Sequence, residues 1–501
     1  MSVTDLLGLP PAPGIFADME WATDGDGPLT FMDLPAQDGP PPEPGTLYSP
    51  PGTELYPFQA SGIQFLLEHP VALLGDEMGL GKSIQAIAAL RLLLHREEIK
   101  ACLILSPKSV LFDWYYKLRK WAPDLRTITV EGPKRRRTWY WQMKCHVHLA
   151  GYETWQRDLK EQLVDPSRYD LVILDEIQRV KNPETAIHQA VTRIDAPWRW
   201  GLSGTPLENR VDELLAIFAF LEPGLLPLSA DYTPAVVRER VQPYVLRRRK
   251  VDVLQHLPPK EHRTVWLELT PEQRAAYEKA EQAGVGVLKE LGRSIAPMRA
   301  LALLTELKEI CNLDPESGAS CKMSFLEQDL AEVVRSGDKA LVYSQFPEKS
   351  LKPLLPRFMP LSAALFDGDL SDWGRQLLIH RFQHKEQPKV LAMSLKCGGV
   401  GITLTAANHV YHFDHWWNPA VAEQAEDRVH RIGQQKPVRV TTILTKGTVE
   451  ERIAELLERK RELFRSIMDP LTDMEAGAET NLKKLLSRSE LLGLFGLQPG
   501  D

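Results

Sequence analysis

Cysteine is scarce. The 501 residues hold five (Cys102, Cys145, Cys311, Cys321 and Cys397), odd in number and widely scattered. That spacing fits neither a disulfide framework nor a paired zinc site, and it predicts reduced thiols in a cytosol-like compartment. Long apolar runs are missing as well, none approaching the roughly 18 residues of a membrane-crossing helix. Lysine and arginine are absent before Lys82, which leaves no charged n-region for a secretory signal. No repeat of solenoid period is present. What remains is ordinary for a soluble globular chain. With 43% hydrophobic and 25% charged residues, wholesale disorder is excluded. At about 100–200 residues per domain, the length predicts roughly three or four folded units.

The net charge of −7 is unevenly spread: residues 1–50 hold eight acids and no base, so the rest of the chain sums to +1. A nucleic-acid binder needs basic surface somewhere, even without a basic total. Two basic runs stand out, Lys134–Arg137 (KRRR) and Arg247–Lys250 (RRRK); on charge alone each also reads as solvated surface. Residues 1–51 carry eleven of the 38 prolines and are expected to form an acidic, extended or disordered arm.

From residue 52 short β-branched runs alternate with helical stretches. VALLG (71–75), ACLILS (101–106), HVHLAG (146–151), DLVILDE (170–176) and RWGLSG (199–204) form one set. KALVYSQF (339–346), AALFDG (363–368), KVLAMSL (389–395), HVYHFD (409–414) and VRVTTIL (438–444) form a second. Such alternation predicts α/β lobes built on parallel sheets covered on both faces. The expected layout is lobe 1 over 52–230, a mainly helical insertion over 231–335, lobe 2 over 336–470 and a helical tail over 471–501. Lobe 2 closes with an amphipathic helix, TVEERIAELLERKRELFRSIMD, which sets Ile453, Leu456, Leu457 and Leu463 near one face. The tail ends in LLGLFGL, expected to dock as a last helix.

Three segments carry chemistry. GDEMGLGKS (75–83) lies between a strand and a helical stretch. A glycine-rich turn there, with Gly79 and Gly81, lets backbone N–H groups approach phosphates at a helix N-terminus. Lys82 would reach the β/γ-phosphates and Ser83 would hold Mg²⁺. The strict G-x4-G-K-[ST] pattern is not met, because Asp76 takes the first glycine position. Asp175-Glu176 ends a strand where a parallel sheet presents side chains to ligand; Asp175 suits the metal and Glu176 the attacking water. LSGTP (202–206) either links this site to the second lobe or forms a plain tight turn. In QAEDRVHRIGQ (424–434), Arg428 and Arg431 stand three apart and would share a helix face. They suit a transferring phosphoryl group, or they pair with Glu423, Glu426 and Asp427.

In order, ELYPFQASGIQFL, GDEMGLGKS, LILSPKSVLFDW, DEIQRVKNP, LSGTPLENRVDEL, YVLRRRKVDVLQHLPPK, CGGVGITLTAAN and WWNPAVAEQAEDRVHRIGQ resemble the motifs of the Swi/Snf-type ATPases of helicase superfamily two. The resemblance covers about 54–470. It implies two RecA-like lobes that bind ATP-Mg²⁺ in the cleft between them and act on double-stranded DNA through its phosphate backbone. By position, Gln59 resembles the adenine-reading glutamine. Lys82, Ser83, Asp175 and Glu176 match the phosphate, metal and water-activating positions, and Arg428 and Arg431 the arginine fingers. Gly399 and Gly401 match the nucleotide-facing glycines of lobe 2. Ser106, Pro107, Gly151, Tyr152, Lys181, Asn182, Gly399, Gly401, Thr403 and Trp417 fall on segments that face nucleic acid in the family, although core packing is the favoured role for Trp416 and Trp417. The family usually has His at Gln178, Thr at Ser203, Gln at Glu208, Ala at Cys397 and Asn at Thr403. None of these departures removes a phosphate, metal or finger residue.

The resemblance thus implies a DNA-stimulated ATP hydrolase and duplex translocase that can move protein cargo on DNA. A bacterial type, working in cytoplasm or nucleoid, is expected because no histone-reading segment is visible. A strand-separating DNA or RNA helicase and a nucleotide-gated scaffold with little turnover are the competing expectations.

Overall fold

The computed structural model describes residues 43, 45–204, 211–227, 232–254, 256–291, 297–370, 372–394, 402–414, 416, 419–468 and 492–497. Residues 1–42 of the acidic arm and most of the tail, 471–491 and 498–501, lie outside these. All ten strand segments read from the sequence form strands. Lobe 1 holds β1 (Val71–Leu74), β2 (Cys102–Ser106), β3 (Thr127–Thr129), β4 (Val147–Gly151), β5 (Leu171–Asp175), β6 (Trp198–Leu202) and β7 (Val245–Leu246). They pair in the order β3-β4-β2-β5-β6-β1-β7, with every pairing parallel. Lobe 2 holds β8 (Lys260–Leu267), β9 (Ala340–Ser344), β10 (Ala363–Phe366), β11 (Val390–Ser394), β12 (His409–His412) and β13 (Val438–Thr445). Their order is β10-β11-β9-β12-β13-β8, again wholly parallel.

Side chains alternate across a strand, so each central strand feeds two cores. In β2, Cys102 and Ile104 join the core under the helices Lys82–His95 and Leu111–Trp121. Leu103 and Leu105 join the opposite core with Trp141, Trp155 and Phe218. In β9, Ala340 and Val342 face one way and Leu341 and Tyr343 the other. A separate core joins the helices Pro271–Leu291 and Pro297–Asn312 to the long helix Val449–Met468. Leu492, Leu494, Phe495 and Leu497 are buried there, so the LLGLFGL end does dock, through a short turn. Among the described residues no helix is long and apolar enough to cross a membrane.

Three strands escaped sequence reasoning. β3 is three residues long and β7 two, too short for a period to show. β8, KEHRTVWL, lies within the segment expected to be helical, yet it pairs with β13 over eight residues. It is an edge strand, exposed along Glu261–Thr264, and therefore lacks the apolar alternation that betrays a half-buried strand. Charged residues there also blunt the open edge. The helix Cys321–Arg335 likewise packs Met323, Leu326 and Leu330 onto β9 and β11 in the lobe 2 core.

Candidate nucleotide-binding site

Strand register assembles the front half of the site. Leu74 of β1 lies opposite Leu202 of β6, and Leu202 opposite Asp175 of β5. The phosphate loop, the strand end at residues 202–204 and the acidic pair therefore leave the sheet at one level, on adjacent strands about 5 Å apart. Gly79 and Gly81 take φ of +86° and +80°, a left-handed backbone that glycine adopts without strain. The helix Lys82–His95 starts directly after, so its unpaired N–H groups open onto the cleft.

Lys82 Nζ donates to the loop's own carbonyls, Asp76 O at 2.6 Å and Glu77 O at 3.4 Å. Burial pulls its pKa below the usual lysine value, against the attraction of Asp76, Glu176 and Asp175. Asp175 accepts from Trp114 Nε1 at 2.7 Å. Its carboxyl is pushed up to about 6, by burial first and by the Glu176 charge second. Glu176 holds a left-handed backbone with φ +52°, which costs a non-glycine residue about 1–3 kcal/mol and is kept only where the surroundings enforce it. Gln178 Nε2 donates to Glu176 Oε2 at 2.5 Å, and Ser203 Oγ to Gln178 Oε1 at 3.1 Å. An amide therefore orients the acid and links it to the LSGTP strand end. Gln59 is buried, donating to Leu80 O at 3.2 Å and accepting from Tyr56 N at 3.1 Å, and a Cβ on Gly81 would strike its Nε2.

Lobe 2 supplies the rear wall. Arg428 and Arg431 line the same cleft as Gly79, Gly81, Lys82, Ser83, Asp175 and Glu176. They do not share a helix face, since the helix Pro419–Glu426 ends before them and both sit in the turns that follow. Their side chains converge because that turn packs on the phosphate loop; a Cβ on Gly79 would lie 2.7 Å from Arg431 Cβ. Burial, and then the neighbouring Arg428, lowers the Arg431 pKa. Arg428 is only 4% exposed, so it is not a surface residue.

Other expectations fare differently. Ser106, Pro107, Gly151 and Tyr152 are buried. Tyr152 donates to Asp175 O at 2.7 Å, so it supports the acidic strand end. Lys181 pairs with Glu213 at 3.1 Å, Asn182 is exposed, and Thr403 is half-buried. Gly399, Gly401 and Trp417 lie outside the described residues, while Trp416 packs against the lobe 2 core. The basic runs are partly internal. Arg137 forks onto buried Asp158 at 2.8 Å, and Arg248 onto buried Asp76 at 2.5 Å. Sequence reasoning missed Asp113, Trp114 and Lys117 at the cleft, although LFDW was among the matching motifs. It also missed Arg248 and Lys250, whose signal was the acid at Asp76: a buried carboxylate calls for a counter-cation.

The oxygens of Ser83 and Asp175, with Glu176 beside them, form a hard donor set that suits Mg²⁺. Backbone at Gly79 and Gly81, unshielded by Cβ, suits phosphate oxygens. Fold and site together define a two-lobed protein with a phosphate-loop cleft closed by arginines of the second lobe. Residues 58–316 match the SNF2-related domain and residues 321–433 the helicase conserved C-terminal domain; the chain belongs to the SNF2-related family. It is 32% identical over 470 residues to an uncharacterized ATP-dependent helicase of Mycoplasma pneumoniae, covering 88% of this chain and 44% of that protein. To the Bacillus subtilis protein named "Putative ATP-dependent helicase/translocase YwqA" it is 34% identical over 450 residues, 82% and 48% of the two chains. The chain thus spans under half the length of these curated relatives. Among solved structures, the Sulfolobus solfataricus SWI2/SNF2 ATPase core in complex with dsDNA aligns at 31% identity and TM-score 0.41, over 84% of this chain and 95% of that one.

Proposed function

We propose that the chain is a nucleic-acid-stimulated ATP hydrolase that moves along double-stranded DNA. The observation that carries this is the convergence of Lys82, Ser83, Asp175 and Glu176 from lobe 1 with Arg428 and Arg431 from lobe 2 on one cleft. Ser83 and Asp175 would hold Mg²⁺, which would supply neutralisation of phosphate charge. Lys82 leaves its loop carbonyls for the phosphates. Glu176, fixed by Gln178, orients the attacking water. The two guanidinium groups then stabilise charge on the transferring phosphoryl, so the site is complete only while the lobes are together. Loss of that charge after hydrolysis loosens the rear wall, and each cycle of closing and opening shifts one lobe along the backbone. Contacts to phosphate make such motion sequence-tolerant and salt-sensitive.

ATP turnover measured alone and with single-stranded DNA, duplex DNA or RNA tests the reading, with triplex displacement and duplex opening assayed beside it. Duplex DNA is expected to stimulate most and triplexes to be displaced without strand separation. Lys82→Ala should abolish turnover, and Arg431→Ala should lower it about 10³-fold. Native turnover in Lys82→Ala overturns the site; stimulation by RNA alone, or efficient duplex opening, overturns the translocase reading.

A further inference from the structure

The segment joining the lobes runs beside the phosphate loop like an added strand: Gly75 N donates to Leu246 O at 2.8 Å and Glu77 N to Arg248 O at 2.9 Å. Two of its side chains turn inward. Arg248 forks onto Asp76, 2.9 Å to Oδ1 and 2.5 Å to Oδ2, and also donates to Gln85 Oε1 at 2.9 Å. Lys250 is only 5% exposed. Its backbone N–H donates to Glu77 Oε2 at 2.7 Å, and its ammonium lies 3.6 Å from Glu77 Oε1 and 2.7 Å from Asp427 Oδ1. Glu77 belongs to the phosphate loop, and Asp427 directly precedes Arg428. One ammonium therefore lies between a carboxylate of each lobe at the cleft's rim, held as an ion pair with both and hydrogen-bonded to neither.

We propose that Lys250 is a positioning residue that ties the phosphate loop to the arginine-bearing turn of lobe 2, so that Arg428 and Arg431 stand in register with Lys82. The inference rests on the hydrolase reading above and extends it to a residue that touches no phosphate. Without the ammonium, Glu77 and Asp427 face each other as like charges, and Lys260, 3.8 Å from Asp427, replaces none of the contact to Glu77. Slack is small: Arg431 Cβ lies 2.7 Å from where a Cβ on Gly79 would stand. A shift of about 1 Å at an aligned site can lower turnover about 10²-fold. The same geometry accounts for the acids in the loop, Asp76 where a strict phosphate loop has glycine and Glu77 beside it. They are the handles by which the linker grips the loop.

The experiment uses the full chain as wild type, Lys250→Met, Lys250→Arg, Asp427→Asn and the double variant Lys250→Met/Asp427→Asn. ATP turnover with saturating duplex DNA is read as kcat and KM, and amide hydrogen exchange is followed over 76–83 and 427–434 without nucleotide. Lys250→Met is expected to lower kcat at least about 10-fold while KM moves less than about 3-fold, the mark of an arrangement needed chiefly in the transition state. Lys250→Arg should return to within about 3-fold of wild type. The double variant should exceed Lys250→Met, because the repulsion is gone. Exchange in both segments should rise together in Lys250→Met, at least about 10-fold. Wild-type kcat in Lys250→Met, or exchange unchanged in the second segment, overturns the bridge. Should Lys250→Met not fold, Glu77→Gln and Asp427→Asn break it from either end and must raise exchange across the lobe boundary. Absence of ATP turnover in the wild type defeats the hydrolase reading instead, and the exchange result still decides the bridge.

Discussion

Replacing Asp175 by asparagine should stabilise the nucleotide-free protein and disable it. The Asp175 carboxyl is raised from 3.8 to about 6, by burial first and then by Glu176. Its folded pKa exceeds its unfolded one, so between those values the folded chain binds more protons and stability falls as pH rises. Above pH 6 the carboxylate is charged in both states. The penalty then reaches its full value, about 3 kcal/mol for a shift of roughly two units at about 1.4 kcal/mol each. At pH 5 it is about 1.5 kcal/mol, and near pH 4 about 0.5 kcal/mol. Asparagine keeps the carbonyl oxygen that accepts from Trp114 and cannot ionise. Urea unfolding of Asp175→Asn against wild type at pH 8 and pH 5, without nucleotide or divalent metal, should show an advantage of about 2–3 kcal/mol that roughly halves on acidification. Magnesium-dependent ATP turnover should meanwhile fall by about 10² or more. An asparagine variant less stable than wild type at pH 8, or an advantage that grows as pH falls, would refute the account of this site as a charge held against burial.

Two further outcomes follow from the packing. Lys322 and Glu450 are fully buried and 2.6 Å apart, with Lys322 also donating to Asn312 Oδ1 and Phe413 O at 3.0 Å. Lys322→Met, which strands the acid, should destabilise by about 3–5 kcal/mol in denaturant unfolding, and adding Glu450→Leu should recover much of that. Gly79→Ala forces a side chain into φ +86° and against Arg431; ATP turnover should drop more than about 10-fold, and denaturant unfolding should show a loss of about 1–3 kcal/mol.

Much of the architecture was legible because buried parallel strands advertise themselves. Ten apolar β-branched runs became strands, as continuous burial on both faces requires. β8 was not legible for the converse reason: Glu261, His262, Arg263 and Thr264 are exposed on an edge, so partner hydrogen bonds, and no apolar period, make it a strand. Lys82, Ser83, Asp175, Glu176, Arg428 and Arg431, which line one cleft, could be singled out in advance by residue type at short spacing. The helical face assigned to Arg428 and Arg431 failed, since spacing of three implies a shared face only while a helix continues, and this one stops at Glu426.

Charge runs misled for a deeper reason. In one dimension RRRK and KRRR differ little from solvated surface, and only the fold decides which guanidinium meets Asp76 or Asp158. Likewise Tyr152, matched to a nucleic-acid segment, turned out to prop the carbonyl of Asp175. Local chemistry, meaning phosphate-loop glycines, a strand-end acidic pair and paired arginines, was determined by the order of residues along the chain. Which of those groups meet, and which buried charges hold them there, was decided by the tertiary structure alone. Coulomb attraction and burial depend on distances in space that residues as far apart as Glu77, Lys250 and Asp427 acquire only when the chain has folded.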